Sequence, residues 1–226
     1  MRQAQALLDR AENLDAYVRA FRESEINAKA RTFCQYTAWN DQSLAVAAGR
    51  LVTAKGVNII VMNPSAEGGM PHTRPLNIIC LPAYFPEERL AETLKHELVH
   101  IDQRANAGLW RQHLATEGWT PANSSDIPTE WLRRVRINPD TYDAQLWAWK
   151  ARYIPLPLFE REDKPAIREI SVRWWDKQEE RLNSSPPTSF TQKYGSLGAS
   201  SAEHPYELYA YHLDEWTRSR VEGPSS

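Results

Sequence analysis

His96, Glu97 and His100 are spaced as H-E-x-x-H inside the segment LAETLKHELVHIDQRAN. The segment reads as a helix independently of the motif. Pro86 stands at a first-turn position, and Glu87 and Glu88 put acids where the positive end of a helix dipole favours them. Histidines four residues apart share one helical face, so both imidazoles can reach a single zinc ion at about 2.0–2.1 Å. Glu97, next to the first histidine, projects beside the metal, where its carboxylate can take a proton from water and return it to a leaving amine. A purely structural metal site has no use for that carboxylate.

Two histidines leave such a site short of one protein ligand if a position is kept open for water and substrate. The continuation H-E-x-x-H-x-x-G-x-x-H fails here, because Gln103 replaces its glycine and Asn106 its third histidine. Candidates for the third ligand are His113, His204, Glu207, His212 and Asp214, densest in the segment EHPYELYAYHLDEW. If Pro205 starts a helix, Glu207 falls at its third position, on a face continued by Ala210, Tyr211 and Asp214. His204 lies on nearly the same face and stays open as an alternative.

HELVHIDQR followed far downstream by HPYELYAY resembles the gluzincin group of zinc metallopeptidases. In that group a second helix brings a glutamate to the metal, and small members resemble N-P-x-E-x-x-A-Y at that place. The resemblance rests on two short motifs. It implies one zinc ion held by His96, His100 and Glu207, with Glu97 as general base and Ala210 as the small residue that lets the two helices approach. The chain departs from the pattern at His204, where asparagine is expected, and at Tyr211, where the thermolysin-like subgroup carries an aspartate. Tyr211 either donates a hydrogen bond to a developing oxyanion or simply packs. Asp214 either orients a histidine ligand or is a solvated acid. The implied activity is hydrolysis of peptide bonds. Its rivals are a protein-binding module on the same scaffold and a structural zinc protein without catalysis.

The elements that must position these residues are legible in outline. Residues 2–22 carry Ala6, Leu7, Leu14, Val18 and Phe21 at helical spacing, which predicts one amphipathic helix. Asp41, an N-cap type, opens a second over residues 41–54. Two apolar, β-rich runs, 57–62 and 76–81, read as strands separated by the turn-forming NPSAEGGMPHTR. Residues 108–182 form a tryptophan-rich insertion expected to mix loops and strands, with its indoles in a core rather than along a groove. NSSPPTSFTQKYGSLGASSA, residues 183–202, reads as a long loop able to cover the cleft, ahead of a last helix from Pro205 to about Arg218 and a fraying tail over 219–226.

The expected class is therefore α+β and zincin-like: a small mixed sheet, an active-site helix beneath the edge strand 76–81, and a second ligand-bearing helix, all in one domain over 1–226. Resemblance to zincins implies that such an edge pairs with an extended protein or peptide substrate. The 226 residues, with 42% hydrophobic and 25% charged, suit an ordinary globular protein. A net charge of -2 gives no field for nucleic acid. No run spans a membrane and the charged start lacks a signal-peptide core, so a cytoplasmic setting is expected, although nothing names the compartment. Cys34 and Cys80 have no CxxC partners and read as buried free thiols.

Overall fold

The computed structural model describes residues 1–142 and 144–212. Asp214 and the tail 219–226 lie outside them. The N-terminal region is three helices, α1 (Arg2–Asp15), α2 (Tyr17–Glu23) and α3 (Glu25–Ala30), not one. The break is local: Ala16 adopts a left-handed φ of 54°, and the Glu12 carboxylate turns back to accept the Val18 and Arg19 N–H groups, capping the new helix. α4 (Gln42–Leu51) starts where expected, with Asp41 accepting the Leu44 N–H.

The first sheet contains β1 (Asn58–Met62), β2 (His72–Arg74) and β3 (Ile78–Pro82) in the order β1-β3-β2, with β1 parallel and β2 antiparallel to β3. The strand expected at the edge is thus central. Ile79 and Leu81 pack on α4 and on α5 (Leu90–Ala105), whereas Ile78 and Cys80 pack on α1. Burial on both faces explains the unbroken apolar run IICLP, since a strand with one wet face would alternate. The edge nearest α5 is the short β2, which the sequence reading passed over inside a presumed turn.

α6 (Ala107–Glu117) leads into an antiparallel sheet of five strands in sequential order. These are β4 (Trp119–Ala122), β5 (Leu146–Trp149), β6 (Tyr153–Phe159), β7 (Ile170–Asp176) and β8 (Arg181–Asn183), with the short α7 (Thr129–Leu132) between the first two. One face carries Ile154, Leu156, Leu158 and Trp175. The other gathers Trp119, Trp147, Trp149 and Trp174 against Trp110 of α6 and Val99 of α5, so the indoles are core as expected. Residues 183–202 are not a loose loop: they contain α8 (Thr188–Tyr194) and α9 (Ala199–Ala202), and Phe190 is buried among the tryptophans. The last described helix is α10 (Pro205–Tyr211), whose Tyr206, Leu208 and Ala210 join that aromatic core.

The architecture is α+β with two small sheets, and α5 lies between them, giving Leu90, Leu94 and Ile101 to one core and Val99 to the other. Among the described residues no helix is long and apolar enough to cross a membrane. Cys80 is buried and Cys34 only partly so; both are free thiols.

Candidate metal centre

α5 presents His96 and His100 on one face, and α10 crosses it with Glu207. His96 Nε2 lies 3.1 Å from His100 Nε2 and 3.4 Å from Glu207 Oε2, and His100 Nε2 lies 3.5 Å from the same oxygen. Three donors held tetrahedrally at about 2.0–2.1 Å from one zinc ion sit about 3.3 Å apart, so the triangle has the size a zinc site requires. Its chemistry fits too: two imidazoles and a carboxylate are a zinc donor set, and among the described residues this group has three members, which leaves a coordination position open.

The lone pairs are aimed by a chain of hydrogen bonds. Gln103 Nε2 donates to the Tyr206 carbonyl at 3.0 Å, which can only accept. The amide oxygen therefore faces His100 Nδ1, 2.7 Å away, and takes its proton, leaving Nε2 as the atom turned towards Glu207 and His96. On the other side, Asn138 Nδ2 donates to Glu207 Oε1 at 2.7 Å, so Oε2 is the oxygen free for a metal. Asn138 also donates to Glu203, whose two oxygens hold Arg136 Nη2 at 2.6–2.7 Å. The stretch bearing Asn138 is clamped in turn by α3, through Asn27 to Val135 and Ile137, and by its C-cap Arg31, which donates to the Ile137 carbonyl.

His204 is not a ligand. Its Nδ1 accepts the Tyr206 N–H as the N-cap of α10, and Nε2 donates to the Gln145 carbonyl. His113 packs its ring on Tyr209 and Trp110, and His212 is the exposed C-cap of α10. Tyr211 is half-exposed and sets its ring edge-on against His96, centroids 4.5 Å apart.

Glu97 is buried, and its Oε2 has no hydrogen-bond partner. Burial, then the charges of Asp140 and Glu207, raise its carboxyl well above the usual range. Burial opposes charge on His100, yet Glu207 and Asp140 push it up to about 10. Burial would raise Glu207 as well, but His100 and hydrogen bonds from both histidines hold it well below the usual range. Burial and nearby carboxylates push Tyr211 up to about 12, so its phenol remains a donor at neutral pH.

His96, Glu97, Glu207 and Tyr211 line a cleft of about 1440 Å³, whereas His100 is fully buried. Sequence reading missed Gln103 and Asn138. Gln103 stood three residues from His100 on the same face, a spacing that could have revealed it, whereas Asn138 carries no local signal. Compared with protein-family models, with curated proteins and with solved structures, the chain finds no match.

Proposed function

We propose that the chain is a zinc-dependent peptidase in which His96, His100 and Glu207 hold one zinc ion and Glu97 is the general base. The observation that carries this reading is the donor triangle of zinc dimensions with an unpartnered buried carboxylate oxygen beside it. Zinc in that position supplies a Lewis acid for the scissile carbonyl and makes water acidic near neutral pH. Glu97 Oε2 takes the proton of the attacking water and hands it to the departing amide nitrogen. The Tyr211 phenol, held at the cleft rim by His96, donates to the carbonyl oxygen as negative charge builds there. A closed structural site would need a fourth protein ligand, and His204, the nearest rival, spends both ring nitrogens elsewhere.

Metal analysis of the purified protein together with a general proteolysis assay tests the reading. Stoichiometric zinc, lost from Glu207→Gln with the activity, is expected. Zinc retained in that variant, or hydrolysis unaffected by its removal, overturns the ligand set.

A further inference from the structure

We infer that Gln103 is the positioning residue of this metal centre, joining the orientation of His100 to the docking of α10 through one neutral amide; the inference rests on the zinc reading above. Gln103 is buried, and of its two partners the Tyr206 carbonyl has a fixed polarity, since it can only accept. The Tyr206 carbonyl on α10 fixes the nitrogen end, and that fixes the oxygen end onto His100 Nδ1. Tyr206 lies next to Glu207, so the bond that turns one ligand also places the backbone carrying another. His96 is partly exposed, whereas His100 is fully enclosed and cannot reorient through solvent.

The choice of an amide has a chemical consequence. A carboxylate at position 103 would still accept from His100, but it would repel the Tyr206 carbonyl and cancel positive charge at the centre. Glutamine aims the imidazole while leaving the ion a stronger Lewis acid. Position and electrophilicity are therefore separable by substitution. Gln103→Leu removes both hydrogen bonds, whereas Gln103→Glu keeps the one to His100 and loses the one to Tyr206.

The test is zinc affinity by chelator competition, turnover on a peptide substrate, and ¹H–¹⁵N spectra of His100 in metal-free and zinc-loaded protein. In the wild type, an exchange-protected Nδ1 proton is expected in both states. Gln103→Leu should lose that protection and bind zinc about 10- to 100-fold more weakly. Gln103→Glu should keep the proton but, without the bond that places α10, bind zinc more weakly than the wild type and turn over more slowly; wild-type zinc affinity in Gln103→Glu overturns the link to α10. Should Gln103→Leu not fold, the wild-type spectra and Gln103→Glu still decide. An unprotected Nδ1 proton, or wild-type zinc affinity in a folded Gln103→Leu, overturns the inference. A protected proton in a wild-type protein that binds no zinc refutes the peptidase reading instead, leaving the Gln103 link as a structural one.

Discussion

Asp140 Oδ1 accepts the backbone N–H of Thr73 at 2.6 Å and the Thr73 hydroxyl at 2.7 Å. Thr73 is the middle residue of β2, the edge nearest α5, so Asp140 stands where the backbone of an added strand would pair. Arg104 of α5 seals the arrangement, bonding the Thr73 hydroxyl and the Pro139 and Asp140 carbonyls. The strand addition expected from the sequence is closed at this residue, and a peptide in the cleft has to find other partners or displace Asp140. Asp140→Ala strands a buried N–H and should cost about 1–3 kcal/mol by chemical denaturation. Asp140→Asn keeps an acceptor and removes the charge. It should leave stability nearly intact and move the acid limb of the pH–rate profile to lower pH, because Asp140 helps to raise Glu97. An unmoved acid limb would show that Glu97 does not set it.

Glu97→Gln preserves the shape of the side chain and removes the proposed base. Zinc content should stay stoichiometric while kcat falls by about 10² to 10⁴. Near wild-type turnover would exclude Glu97 from proton transfer.

Zinc should displace a proton on binding. His100 is pushed up to about 10 by Glu207 and Asp140 and so is charged at neutral pH, while Glu207 is already ionised. Uptake at pH 7.5 therefore releases at least the proton of His100, and apparent affinity rises with pH below 10. Calorimetry in buffers of different ionisation enthalpy measures the proton directly. A value of zero would mean that His100 is neutral in the metal-free protein.

His204 supplies a stability switch of known sign. Burial pushes its imidazole down to about 4, against an ordinary value near 6.5. Between those values the unfolded chain binds a proton that the folded one refuses, so stability is fully present above about pH 6.5 and is lost as pH falls towards 4. The loss is on the order of 3 kcal/mol, and it strikes the cap of the helix that carries Glu207. Asparagine caps as well and does not titrate. His204→Asn should keep zinc at neutral pH and flatten the fall of melting temperature in acid. An identical pH profile in the two proteins would assign the acid sensitivity to other groups.

What the sequence made legible was chemistry written in short spacings. H-E-x-x-H lies within one helix, and Glu207 lies at a third helical position after Pro205, where its neighbours could be read directly. His204, read as a possible ligand, is instead the cap of that helix, its Nδ1 accepting the Tyr206 N–H. Asn138 escaped notice because its partner is 69 residues away and only folding brings them together. The edge strand was misplaced for a different reason: β2 has three residues, too few for a period to register. The same limit hid the break at Ala16, which depends on Glu12 reaching over the joint.

Composition misled most over residues 183–202, where Ser, Pro and Gly suggested a mobile cover for the cleft. Phe190 decides the matter. It is 1% exposed, and its ring lies 4.7 Å from Trp174, 5.7 Å from Trp149 and 6.0 Å from Trp119. α8 is further pinned by Trp149 donating to Ser189 and by Lys193 bonding the Glu117 carbonyl. A lid that opens would have to pull this ring from the aromatic core with every turnover. Phe190→Ala should therefore cost about 3–5 kcal/mol and lower Tm by roughly ten degrees. The same cluster holds Tyr206, Leu208 and Ala210, so the cavity should also loosen α10 and weaken zinc binding, with KM for a peptide unchanged in molecules that keep the metal. Thermal melts and zinc titration of the variant, read beside steady-state kinetics, separate the two roles. A raised KM with an undiminished Tm would restore the lid.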